Sequence, residues 1–306
     1  MSVPADNYII SRDANEAERL VVQHKCMISC QGYYLHPEVK PSATAPRIAD
    51  VATGTGIWLC ELAPAYPQAE LHGFDISDKM FPSQDSLPSN VKLHTADIKK
   101  PLDEAWHGYF DVVNIRLIQA AMRVEEWGPL VRNLSTLLKP GGWLQWYEDD
   151  RAVAVRHCFR PAAPIGATEL SLHSSGKGTW QPPPHLATLA SFNRLAMDDE
   201  RALAMNYGYM NLDVLMKDPA FGNLENVACD GFIVDRHDDG GKLRKAYAVM
   251  GISAVRNMLK WREESGQKVG NVSSDEWSDQ AMKDIENGAH FVSRATCFIG
   301  RKKRQE

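Results

Sequence analysis

Apolar residues recur along this chain in two rhythms: short blocks that a sheet can bury, and three- and four-residue spacings that put side chains on one helix face. The first rhythm is helical. Ala14, Ala17, Leu20, Val21, His24, Met27 and Ile28 share one side of a stretch from Asp13 to about Cys30. Ser11 or Asp13 can cap its start, and Gly32 followed by Pro37 is the usual order of helix-stop residues. This amphipathic helix either covers the crevice that follows or merely packs on the core. Ile48, Ala49 and Val51 then form a short buried strand that ends in Thr53-Gly54-Thr55-Gly56. A helix follows with Ile57, Leu59, Leu62 and Ala63 for its inner side, until Pro64 and Pro67 break it. Leu71 to Phe74 is a second strand ending on Asp75, and Val91 to Thr95 a third. Phe110 to Arg116 is apolar enough for the centre of a parallel sheet. Glu125 to Leu138 reads as a helix with Leu130, Val131, Leu134, Leu137 and Leu138 inward. Lys139-Pro140-Gly141-Gly142 should close it, with lysine at the negative end and glycine past it. Trp143 to Tyr147 is a fifth strand, which meets Glu148-Asp149-Asp150.

Beyond Asp150 the pattern thins. Residues 161–184 read as a long loop containing Pro182-Pro183-Pro184. His185 to Met197, Asn211 to Lys217, Lys242 to Glu264 and Asp275 to Phe291 read as helices. Cys229 to Val234 is the apolar part of a strand, and Ala295 to Gly300 is the last strand. Arg301-Lys302-Lys303-Arg304 reads as a solvated basic end, with a nuclear-import signal as the alternative. Strands alternating with helices imply right-handed crossovers and an α/β, doubly wound sheet.

In such a sheet the first turn and the acid after the second strand lie side by side above the strands' carboxyl ends. Gly54 and Gly56 let the backbone approach a ligand, and Asp75 can accept both hydroxyls of a ribose. A dinucleotide fingerprint would need a third glycine, and Leu59 stands there instead. A nucleoside without phosphates, such as S-adenosylmethionine, needs only the ribose acid, the open turn and a slot for adenine. The bland alternative is an ordinary tight turn.

Composition narrows the field. The chain has 306 residues, 44% of them hydrophobic, enough for one sizeable core with attached elements. Its net charge of -5 and pI of about 6.1 give no sign of the basic face that duplex nucleic-acid binders carry. No apolar run approaches the length of a membrane span, and MSVPADNYIISRD lacks the apolar core of a signal peptide. Six cysteines scattered among apolar neighbours fit reduced, mostly buried thiols and a cytoplasmic location. Cys26 and Cys30 could share a helix face, but two further ligands at metal-site spacing are absent from the sequence, so no metal is expected.

The order of these pieces resembles the class I S-adenosylmethionine-dependent methyltransferases, and most of all the fungal secondary-metabolism group that includes gliotoxin-type methyltransferases and the global regulator of that metabolism. The matching stretches are Asp50-Val51-Ala52-Thr53-Gly54-Thr55-Gly56-Ile57-Trp58, Gly73-Phe74-Asp75-Ile76-Ser77, Ala96-Asp97-Ile98, Phe110 to Arg116, and Leu138 to Trp146. Gly32 to Pro37 fits the same group. The resemblance is good from about residue 8 to 150 and thinner afterwards. It implies a seven-stranded, mostly parallel sheet with an antiparallel last strand. It also implies an N-terminal helical cap (1–45), a cofactor-binding core (46–160), and a remainder (161–306) that completes the sheet and covers the substrate, all in one compact unit. Ala52 departs from the pattern, since many such enzymes have glycine there.

Carried over residue by residue, Asp75 would hold the ribose, Ile76 would flank adenine, and Asp97, with Ile98 beside it, would accept from the adenine amino group. Gly54 and Gly56 would admit the methionine part, and Asp50 would help orient it. Ala52, Asn114 and Tyr33 complete the cofactor side. Arg116 would contact the cofactor carboxylate or the substrate. The catalytic candidates are His24, as a base on the covering helix, Arg116, and Glu148 at the end of the fifth strand. His157, His173 and His185 are further base candidates. The implied activity is methyl transfer to O, N or S of a small, mostly apolar natural product, with a homodimer as a conceivable assembly. A sulfonium-assisted cyclase and a non-catalytic regulator are the alternatives. Nucleic-acid methylation is disfavoured, because Asn114-Ile115-Arg116-Leu117 stands where an Asn-Pro-Pro-Tyr-type tetrapeptide would be.

Overall fold

The computed structural model describes residues 12, 14–41, 43–150, 200–234, 242–266, 273–286 and 293–304. The expected loop at 161–184, the helix at 185–197 and the base candidates His157, His173 and His185 lie outside the described residues.

In chain order the elements are α1 (Ala14–Gln31), β1 (Arg47–Val51), α2 (Ile57–Leu62), β2 (Glu70–Asp75), β3 (Val91–Thr95), β4 (Phe110–Arg116), α3 (Trp127–Leu137) and β5 (Leu138–Asp150). They continue with α4 (Glu200–Lys217), β6 (Leu224–Val234), α5 (Lys242–Glu264), α6 (Ser274–Glu286) and β7 (Ser293–Lys302). One seven-stranded sheet runs in the order β3-β2-β1-β4-β5-β7-β6. The first five strands pair in parallel, and β7 runs antiparallel to both β5 and β6. The chain winds outward from β1 to β3 and then returns to β4, so strand order reverses between β1 and β4. A crevice opens there above the carboxyl ends.

Both faces of the sheet are covered, which is why its central strands read as continuous apolar runs. On one face Ala49, Val51, Val113 and Ile115 pack against Leu130, Val131, Leu134 and Leu137 of α3 and against Leu212, Leu215 and Met216 of α4. On the other, Ile48 and Val112 meet Trp58, Leu59 and Leu62 of α2. The inner side of α2 thus carries Trp58, whereas the expected Ile57 is half-buried. Gly73 of β2 is small because Thr53 and Leu93 crowd it: a Cβ there would lie 2.5 Å from Leu93 Cδ2.

Two expectations about chain ends are corrected. Lys139 does not cap α3; its Nζ pairs with Asp111 at 2.7 Å, and β5 begins at Leu138 and runs on through Pro140-Gly141-Gly142. The carbonyls at the end of α3 are met by Lys302 instead, whose Nζ donates to Ser135 O at 2.9 Å and Leu138 O at 2.8 Å. The basic end is therefore only partly a solvated tail, since Arg301 and Lys302 belong to β7 and Arg301 Nε donates to Gly141 O. The cysteines also depart from expectation. Cys26 and Cys297 are buried, Cys30 and Cys60 are half-exposed, and Cys229 is exposed because β6 is the edge strand. No helix of the described residues is long and apolar enough to cross a membrane.

Candidate cofactor and active site

The turn after β1 is built by its own side chains. Gly54 (φ 58°) and Gly56 (φ 73°) take left-handed conformations, and so does Ala52 (φ 54°) between β1 and the turn. Thr53 N–H donates to Phe74 O, and Gly56 N–H donates to Thr53 O. Below them, Asp50 accepts from Thr53 Oγ1 at 2.6 Å and from Asn114 Nδ2 at 2.7 Å. Gln145 of β5 supports Asn114 through a 2.9 Å bond to its Oδ1. Burial pushes the Asp50 carboxyl up, against the pull of Arg116 and of these donors.

Asp75, the last residue of β2, accepts from Gly54 N–H at 2.9 Å and from Ser77 N–H at 3.2 Å. Those two bonds fix its carboxylate against the glycine turn. Burial raises its pKa, and the same two N–H groups oppose the rise.

A cavity of about 170 Å³ opens above this pair. The turn contributes Ala52, Thr53 and Gly54; the end of β2 contributes Asp75 and Ile76; the loop after β3 contributes Asp97 and Ile98; the end of β4 contributes Arg116, Leu117 and Ile118. α1 forms another wall, through Arg19, Leu20, Gln23, His24 and Met27, and Met80 and, from α5, Ala254 also line the cavity. α1 sits so close to the turn that a Cβ on Gly54 would lie 3.0 Å from Leu20 Cδ1. Its opposite side meets α5, with Val22, Cys26 and Cys30 among Leu243, Tyr247 and Met250. The helix therefore does both things open in the sequence: it covers the crevice and packs on the rest of the protein. Ala52 and Leu117 (φ 53°), two of the four described non-glycine residues at positive φ, both line the cavity. Such strain concentrates at functional sites.

Of the residues singled out from sequence, the cavity gathers His24, Ala52, Gly54, Asp75, Ile76, Asp97, Ile98 and Arg116. Five others stand outside its lining. Asp50 and Asn114 lie beneath the turn as its support. Gly56 starts α2 and is pressed by Leu93. Tyr33 packs edge-on against His36 at 5.5 Å, within the core on the α2 side of the sheet. Glu148 is wholly buried: its Oε1 accepts from Ile118 N–H at 3.1 Å and Trp146 Nε1–H at 2.8 Å. Burial pushes its carboxyl up to about 8, so it sits in the structure as a neutral acid.

His24 also differs from a poised base. Its Nε2 lies 2.8 Å from Glu61 Oε2, and its Nδ1 lies 2.8 Å from Arg116 Nη1. A carboxylate can only accept and a guanidinium can only donate. The ring is therefore neutral with its proton on Nε2, and both nitrogens are engaged. Burial, reinforced by Arg116, holds its pKa well below the usual histidine range despite Glu61. Sequence reasoning missed Glu61 and the cavity residues Leu20, Gln23, Met27 and Leu117. The shared face of Leu20, His24 and Met27 was the available signal for the first group. Nothing local marks Glu61, which lies 37 positions from His24.

Switch-point topology and a glycine turn bound to the acid after β2 put the crevice where a doubly wound sheet takes its ligand. Residues 48–142 match the family described as "Methyltransferase domain". The chain is similar to Methyltransferase grgD of Penicillium sp, at 36% identity over 47% of this chain and 52% of that protein. It is similar to N-methyltransferase verN of Clonostachys rogersoniana, at 32% identity over 46% of this chain and 50% of that one. It is also similar to Secondary metabolism regulator LAE1 of Cochliobolus heterostrophus, at 31% identity over 47% of this chain and 46% of that one. The chain thus spans about half the length of the curated relatives it matches. Among the described residues no group of three or more His, Cys, Asp or Glu could hold a metal ion.

Proposed function

We propose that the chain transfers a methyl group from S-adenosylmethionine to O, N or S of a small, mostly apolar natural product. The observation that carries this reading is the 2.9 Å bond from Gly54 N–H to Asp75, which holds the carboxylate against the glycine turn, where it lines the cavity beside Ile76. Asp75 suits the two ribose hydroxyls, Ile76 and Ile98 suit the faces of adenine, and Asp97 suits its amino group. When bound, S-adenosylmethionine supplies the electrophilic methyl and its own leaving group. The residues around it need to hold the acceptor in line and exclude water, and such positioning can supply on the order of 7–11 kcal/mol of the barrier.

His24 offers no free lone pair, so the chain favours an acceptor that arrives with one available, such as an amine. The N-methyltransferase named above is in keeping with that preference. A small molecule is the expected partner, not nucleic acid or membrane. Calorimetry with S-adenosylhomocysteine tests the cofactor site: the wild type should bind, and Asp75→Ala should weaken binding about 100-fold, as loss of two hydrogen bonds to a charged group implies. Incubation of labelled S-adenosylmethionine with candidate amines then tests transfer. Similarity to a secondary metabolism regulator favours a second reading, a binding protein without turnover. Tight binding with no label transferred to any acceptor would select it.

A further inference from the structure

Arg116 is a cation whose countercharge is committed elsewhere. Among the described residues no carboxylate forms an ion pair with it, and the acid acting on it most through space, Asp50, has its two oxygens taken by Thr53 and Asn114. Its Nη1 donates to His24, and its Nε is buried with no hydrogen-bond partner. Nε and Nη2 together form the planar edge that a carboxylate engages with two parallel bonds.

Strand register gives the distance to the other end of the cavity. Val51 of β1 pairs with Phe74 of β2 on one side and with Ile115 of β4 on the other. Asp75 and Arg116 each follow one residue later, so they flank the end of β1 two strand spacings apart, roughly 9–10 Å. A ligand that meets Asp75 with a sugar diol thus presents whatever lies about that far away to the Arg116 guanidinium.

We propose that Glu61 and His24 are positioning residues that aim Arg116 at the amino-acid carboxylate of the ligand, a role that rests on the S-adenosylmethionine reading above and on the Arg116–carboxylate contact that the resemblance implies. Glu61 belongs to α2, His24 to α1 and Arg116 to β4, so the relay ties three elements together. Tyr34 Oη donates to the same Glu61 oxygen at 3.0 Å and steadies it. The carboxylate of Glu61 can only accept, which keeps the proton on His24 Nε2. His24 Nδ1 is then left with a lone pair toward Arg116, and the guanidinium is held by one corner with its other edge unoccupied. Without Glu61 the imidazole is free to place its proton on Nδ1, against a group that is itself only a donor.

Two probes separate aiming from simple packing. S-adenosylhomocysteine carries the carboxylate, and 5′-methylthioadenosine lacks the amino-acid end. Glu61 is about a third exposed (31% of its side chain), so truncation there leaves no deep cavity. In calorimetric titrations of the full chain, Glu61→Ala and His24→Leu should weaken S-adenosylhomocysteine about tenfold, the worth of one charge-assisted hydrogen bond. Both should leave methylthioadenosine within about twofold. His24→Asn, whose amide oxygen can stand where Nδ1 stood, should recover most of the loss. Equal weakening of both probes would mean that these residues merely dock α1, and would overturn the relay. So would a Glu61→Ala protein that binds both probes as the wild type does. A wild type that binds the two probes equally well would remove Arg116 from the carboxylate while sparing the cofactor site. A wild type that binds neither would sink the cofactor reading and the relay with it.

Discussion

Ala52 leaves β1 with φ 54°, a conformation that an L-residue holds at a cost of roughly 1–2 kcal/mol and glycine holds freely. Ala52→Gly removes that strain but adds about 0.4–1 kcal/mol of unfolded-chain entropy. The expected result in a thermal melt is a protein as stable as the wild type or up to ~1 kcal/mol more so. Gly54→Ala should go the other way. It meets both a φ of 58° and Leu20 Cδ1 at 3.0 Å, so it should lose on the order of 1–2 kcal/mol and bind S-adenosylhomocysteine less tightly. Glu148 makes a third test. Its folded pKa of about 8 stands above the ordinary 4.5, so the unfolded chain releases a proton that the folded chain keeps. Stability from this group is intact below pH 4.5 and is lost as pH rises toward 8. Glu148→Gln, which copies the neutral acid, should stabilise the protein by about 1–3 kcal/mol at pH 8 in urea melts and change little at pH 4.5. The cavity residues Gly54, Asp75 and Asp97 were legible in sequence because they end or closely follow strands whose apolar runs announce them. Glu148 ends such a run too, yet faces inward, because Trp146 Nε1 and Ile118 N–H both need an acceptor there.

At the scale of elements, α3 shows how a local pattern can point to the wrong partner. Its closing sequence offers Lys139, but Asp111 claims that ammonium, and Lys302 of β7 reaches the orphan carbonyls from 164 positions away. Lys302→Met should cost about 1–3 kcal/mol, measured by chemical denaturation, because two carbonyls lose a charged donor. Across β2 and β3, His72 and His94 stack at 5.2 Å and share a 3.0 Å hydrogen bond inside a ring cluster with Phe74, Trp106 and Phe110. Burial, aided by His94, depresses the His72 pKa to about 4. Since the unfolded ring titrates near 6.5, stability from His72 is complete above that pH and drains away as pH falls toward 4. A plot of unfolding free energy against pH should fall on the acid side of 6.5, and His72→Phe should flatten that limb. Had the pair been legible, it would have needed knowledge of register: His72 and Phe74 on β2 and His94 on β3 meet only because Phe74 pairs with His94 across the strands.

For the whole molecule, the central sheet was readable because strands buried on both faces must be apolar along their length, as Phe110 to Ile115 are. The edge was less so: β6 alternates and exposes Cys229, which leaves a weaker signature. The site divides in the same way. Its floor follows from local motifs, while its roof depends on how α1 lands, and helix-to-helix docking writes no short-range pattern. That roof has a kinetic corollary. The opening measures about 170 Å³, below the roughly 300–1,000 Å³ usual for bound small molecules, so some boundary must give way to admit a guest. Strand termini are pinned by ladders of backbone bonds, whereas α1 is held over the floor by side chains such as Leu20, Met27 and His24. Association should therefore level off at high guest concentration in stopped-flow traces, the plateau reporting how often this one helix lifts.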